Sequence, residues 1–147
     1  MRFRLSALML VLTLGLMPRD GSAQSAAQKK SSVTLGQNYP NPFNPEMWMP
    51  FTVGDYPSCL DGGKQYKTSL KILNVLGQLV KVPILQGGAG NVAGGQPLQN
   101  VLLPCGQYTA YWDGNYLNTS REVASGVYIY VIEVDGNRVV KKALSVK

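Results

Sequence analysis

The chain contains no histidine. This removes the side chain that most often acts as a general base near neutral pH, and the commonest protein metal ligand. It also removes every Ser–His and Cys–His nucleophile pair. Carboxylates are scarce, with eight Asp and Glu in 147 residues, and they are scattered. Asp113 and Asp135 each precede a glycine, as turn residues do. Asp55, Asp61, Asn74 and Asn115 offer oxygens, but no Asp-x-Asp-x-Asp-Gly loop spacing accompanies them. Cysteine is limited to Cys59 and Cys105, too few ligands for a zinc site in a chain without histidine. The expectation is a protein that is not an enzyme and has no cofactor, metal or small-molecule substrate. The formal charge of +6 is spread out, apart from Lys29-Lys30 and Lys141-Lys142. A nucleic-acid surface needs a concentrated basic stripe with interleaved aromatics, so no nucleic-acid partner is expected.

What is present begins with an export signal. Arg2 and Arg4 precede an apolar run, Leu5 to Met17, interrupted only by Ser6, Thr13 and Gly15. Gly21-Ser22-Ala23 then supplies small residues for cleavage after Ala23. The run is shorter than the roughly 18–20 residues a helical span requires, and no second long run follows, so no stable membrane span is expected. Residues 1–23 therefore read as a signal peptide and 24–34 as a flexible, polar mature N-terminus. Cleavage removes three arginines and one aspartate and takes the charge from +6 to +4. The remaining residues, about 124, fit one domain. In an exported protein, two cysteines read first as one disulfide, here closing a loop of about 46 residues.

The body of the chain is patterned as strands. Glu46–Val53 is a strand candidate whose Pro50 suits an edge. Thr68–Val75 alternates, Gly77 permits a turn, and Leu79–Leu85 resumes. Tyr108, Ala110 and Trp112 share one face of a strand, as do Tyr128, Tyr130, Ile132 and Val134 of another. Val127, Ile129 and Val131 are apolar too, so that second strand reads as central and covered on both sides. Asp135-Gly136 is a hairpin signal, pairing Val127–Val134 with Arg138–Val146. Gly87–Gly95 holds a formal Gly-x-Gly-x-x-Ala match. That fingerprint binds dinucleotides only between a strand and a helix, and here it reads as a loop. The fold class is all-β, an antiparallel sandwich of about seven strands.

Gln37–Pro45 is the most distinctive stretch: Gln-Asn-Tyr-Pro-Asn-Pro-Phe-Asn-Pro. Pro40, Pro42 and Pro45 each fix φ and remove a donor, and they push Tyr39, Asn41 and Asn44 out of the helical region. The segment reads as a rigid lead-in, with Tyr39 and Phe43 as anchors packing on the end of the sandwich. LGQNYPNPFNP at Leu35–Pro45 resembles the opening of the C-terminal sorting domain of type IX secretion cargo, a family related to the immunoglobulin-like domain of flagellar hook-capping proteins. Further blocks are similar in the same order: SLKILNVLGQLV at Ser69–Val80, GQYTAYWDG at Gly106–Gly114, EVASGVYIY at Glu122–Tyr130, and VVKKALSVK at Val139–Lys147. Together they cover nearly everything after residue 34.

The resemblance implies an immunoglobulin-like sandwich at 35–147, recognised by outer-membrane secretion machinery. Its last strand, with Val139, Val140, Lys141, Lys142, Ala143, Leu144 and Lys147, would carry the signal. The expected destination is the surface of a Gram-negative-type bacterium or the medium, with the periplasm crossed in transit. The chain departs from the pattern in three respects. Cys105 stands where the family usually has a small residue. Two loops, around Pro57–Tyr66 and Gly87–Gln99, are longer than usual. Only about ten residues separate the expected cleavage site from the motif, where family members carry a large passenger. A second expectation is therefore a structural or assembly subunit, self-associating into a filament, surface layer or adhesive complex through free β-edges.

Overall fold

A computed structural model describes residues 33–88 and 92–147; the expected signal peptide lies outside the described residues. Nine strands form among them: β1 Val33–Leu35, β2 Met47–Val53, β3 Gln65–Leu73, β4 Leu79–Lys81, β5 Ile84–Gly88, β6 Val101–Pro104, β7 Gly106–Trp112, β8 Gly126–Val134 and β9 Asn137–Ser145. They make two antiparallel sheets, one ordered β1-β2-β7-β5, the other β4-β3-β8-β9 with β6 also paired to β3. The buried faces of both sheets contribute to one shared apolar core. The arrangement is all-β and sandwich-like.

Alternation decides the faces. In β2, Met47, Met49, Phe51 and Val53 point inward; in β7, Tyr108, Ala110 and Trp112 do; in β8, Tyr128, Tyr130, Ile132 and Val134 do. Side chains two apart share a face of a strand, so each set reaches the core together. Phe51 and Tyr108 stack at 5.7 Å across the β2–β7 ladder. Asp135 and Gly136 both have positive φ (47° and 83°), and they turn β8 into β9 with Val134 opposite Asn137. That is the hairpin expected from Asp-Gly. The Asp135 carboxylate also accepts the Lys67 amide at 2.9 Å, fastening the turn to β3.

Four expectations are corrected. Leu79–Leu85 is not one strand: the chain leaves the larger sheet after Lys81 and enters the smaller one at Ile84, with Pro83 between. Val33 and Thr34, assigned to a flexible N-terminus, belong to β1, and Val33 is buried. Pro50 is not on an edge, since β2 lies between β1 and β7. It is tolerated because it falls one step past the end of β1, where its missing N–H would have met Gly36. Finally, β8 is central but not covered throughout: outward-facing Val131 is 3% exposed, while Val127 on the same face is 42% exposed.

The disulfide forms as expected. Cys59, in the long loop after β2, bonds Cys105, just before β7, with Cα atoms 5.6 Å apart. Gly54 makes room for it: a Cβ there would lie 2.9 Å from the Cys105 Cβ, and its φ of +77° favours glycine in any case. Closing 46 residues restricts the unfolded chain. Replacing both cysteines by serine is expected to cost about 3–4 kcal/mol. Urea denaturation of the purified mature protein measures this; an unchanged midpoint would contradict it.

Candidate functional site

The motif Tyr39–Pro45 and the last strand lie at opposite ends of the described chain, and the fold brings them side by side. Phe43 pairs in parallel with Ser145. The Phe43 amide donates to the Leu144 carbonyl at 2.8 Å, and the Val146 amide donates to the Phe43 carbonyl at 3.1 Å. The Leu144 amide donates to Asn41 Oδ1 at 3.1 Å, and Gln37 Nε2 donates to the Lys142 carbonyl at 3.0 Å. The lead-in therefore occupies the outer edge of β9 from Lys142 to Val146.

Two anchors hold the lead-in there. The first is Phe43, fully buried, with its ring 5.3 Å from Trp112 and 6.2 Å from Tyr128. Trp112 and Tyr128 meet edge to face at 5.6 Å, so three elements share one aromatic cluster. Gly114 closes the same corner. A Cβ at Gly114 would sit 2.1 Å from the Pro45 carbonyl oxygen, so no larger residue fits beneath the lead-in.

The second anchor is the Tyr130 hydroxyl. It donates to the Gly36 carbonyl at 3.0 Å and accepts from the Asn38 amide at 2.9 Å. The Gly36 amide already donates to the Pro50 carbonyl at 2.7 Å. Pro50 cannot return that bond, which leaves the Gly36 carbonyl for Tyr130. Asn38 is buried and its Nδ2 donates to the Pro40 carbonyl at 2.9 Å. Burial pushes the Tyr130 phenol up from its ordinary 10.0, while the Asn38 amide pulls it partly back.

The other motif residues lie outside. Tyr39, expected to pack on the end of the sandwich, is 51% exposed; it stacks on Trp48 at 6.0 Å and exchanges two backbone hydrogen bonds with it. Its aromatic surface serves the outer side of β2 and not the core. Pro40, Asn41, Pro42, Asn44 and Pro45 are exposed. In the last strand Ala143 faces the core and Val139 packs against it, Lys141 is half-buried, and Val140, Lys142 and Leu144 face out. The Lys147 ammonium lies 3.6 Å from Glu122, and its amide donates to Ser125 Oγ at 3.0 Å.

The oxygens weighed as metal ligands serve their own loops. Asp55 accepts the Leu60 amide, Asp61 the Gly63 amide and Asn74 the amides of Leu76 and Gln78, while the Asn115 carbonyl accepts from Trp112 Nε1 at 2.9 Å. Asp55, Cys59 and Cys105 cluster closely enough to suggest a metal. Both sulfurs are bonded to each other, so neither is a thiolate ligand and the 3.6 Å Cys105–Asp55 approach is a contact without a proton. Among the described residues no helix is long and apolar enough to cross a membrane.

Tyr130 and Asn38 were not recognisable as site residues in the sequence, because their partnership joins positions 92 apart. Comparison with models of known families, with characterised proteins and with solved structures finds no match.

Tyr130→Phe leaves the Gly36 carbonyl and the buried Asn38 amide without their partner, with an expected cost of about 1–3 kcal/mol in urea denaturation. The pH dependence follows from the raised phenol. Above pH 10 the unfolded phenol ionises before the folded one, so the unfolded state binds fewer protons and stability falls as pH rises. Tyr108 and Tyr128, raised by burial as well, contribute in the same direction. Urea midpoints should therefore drop above pH 10, less steeply in Tyr130→Phe; a rise would contradict the assignment.

Proposed function

We propose that this chain is a secreted, non-enzymatic, immunoglobulin-like module of the type IX sorting kind, whose last strand addresses it to outer-membrane secretion machinery. One observation carries the reading. The two blocks to which the resemblance gives meaning, the lead-in at Tyr39–Pro45 and the terminal block at Val139–Lys147, are hydrogen-bonded into a single surface. A sorting signal must be presented in a fixed shape to be read by a membrane receptor. Here the shape is set by Phe43 and Tyr130 from inside and by the lead-in along the edge. The immunoglobulin-like assignment of the two antiparallel sheets belongs to the same proposal, as does extracytoplasmic placement, with which the Cys59–Cys105 disulfide agrees.

The reading as a polymerising subunit depends on open edges. One of them is taken along Lys142–Val146. Another, β1, is only three residues long. Short or covered edges are poor templates for strand addition, so the sorting reading is favoured.

Two experiments test it in the source organism. Removing Val139–Lys147 should leave the protein in the periplasm. Since that deletion also removes all of β9 after Arg138, the domain should also be fused behind a signal peptide and a folded reporter. The reporter is expected at the cell surface. Retention of the fusion in the periplasm, or surface delivery of the truncated chain, would overturn the proposal.

A further inference from the structure

The outward face of the β3–β8–β9 sheet is laid out in register. Ser69, Glu133 and Arg138 form one row; Lys71, Val131 and Val140 the next; then Leu73, Ile129 and Lys142; then Val127 and Leu144. Val140 is 54% exposed and Leu144 41% exposed. A groove of about 370 Å³ opens on this face, lined in part by Lys71, Leu79, Leu98 and Val131. The charges are one-sided. Lys67, Lys71, Arg138 and Lys142 point outward from these strands, against Glu133, which lies 3.9 Å from Arg138. Asp135, at the turn, is engaged with the Lys67 backbone.

We propose that this face is a docking surface for a partner protein segment that carries carboxylates among apolar side chains. Charge complementarity selects that occupant: apolar residues cover Val127, Val140 and Leu144 while acids meet Lys71 and Lys142. A second copy of the same face would set lysine against lysine. Strand addition along Lys142–Val146 is closed by the lead-in, which leaves the face as the readable side of the last strand. The inference deepens the sorting reading and rests on it for the partner's location, but not for the chemistry of the face.

The test has two arms. In the first, purified mature protein is titrated with a synthetic peptide alternating Glu and Leu, and with its Lys–Leu counterpart, while the methyl resonances of Val127, Val140 and Leu144 are followed. The acidic peptide should shift them saturably. The basic one should not, and the Lys71→Glu/Lys142→Glu double variant should reverse the preference. Equal responses to both peptides would overturn the proposal. In the second arm, the full chain carrying that double variant is expressed in the source organism. Its surface fraction should fall on the order of tenfold, as two reversed charges imply, with the thermal midpoint unchanged and Lys71→Arg/Lys142→Arg behaving as wild type. Normal export of the charge-reversed chain beside an exported wild-type fusion overturns the docking face and leaves the sorting reading standing. A wild-type fusion that stays periplasmic overturns the sorting reading and the partner's location with it.

Discussion

The fold depends on a backbone bond that Pro50 cannot make. β1 and β2 pair from Val33–Val53 to Leu35–Phe51, and the next pair would join Gly36 to Pro50 in both directions. Proline gives only half of it, so the Gly36 carbonyl turns to the hydroxyl of Tyr130 on the opposite sheet. The same hydroxyl takes the Asn38 amide. A missing donor in one sheet thus becomes a cross-sheet tie, and it fixes where the chain leaves β1. Every later residue of the lead-in is placed from that point, until Phe43 enters the aromatic cluster with Trp112 and Tyr128.

The consequence lies at the other end of the chain. With Asn38 held by Tyr130 and Phe43 seated in the core, the backbone from Asn38 to Phe43 runs along the outer edge of β9. An edge strand ordinarily presents unpaired amides and carbonyls that invite another strand. Here Asn41, Phe43 and Gln37 meet them over Lys142–Val146. Over Lys142–Val146 the end of the chain is therefore held in one register and presents its side chains, not its backbone. The side chains that this strand turns outward, Arg138, Val140, Lys142 and Leu144, are cationic and apolar.

Much of this was legible in the sequence. Period-two alternation in β7 and β8 put Tyr108, Ala110 and Trp112, and Tyr128, Tyr130, Ile132 and Val134, each on one face, and those are the faces turned to the core. Asp135-Gly136 named the hairpin, because few dipeptides tolerate two positive φ angles. The disulfide followed from there being only two cysteines. Other features were hidden, for physical reasons. Leu79–Leu85 reads as one apolar run, but where it divides between sheets is set by the strands waiting on each side. Three-residue β1 is too short to carry a pattern. Tyr39 and Phe43 look alike as anchors, and only the position of Trp48 on the outer side of β2 draws Tyr39 outward. The Tyr130 tie depends on the void left by Pro50, and a side chain far along the chain fills it.

The central claim is that the lead-in is an integral strand-like part of the domain, locked to β9. Amide hydrogen exchange on the purified mature protein measures it most directly. The amides of Asn38, Phe43, Leu144 and Val146 should be protected together, to nearly the degree of the β8 amides, and should lose protection together in Phe43→Ala while β8 remains protected. Rapid exchange at Phe43 and Val146 in the wild-type protein, at the rate of exposed loops, would contradict the account.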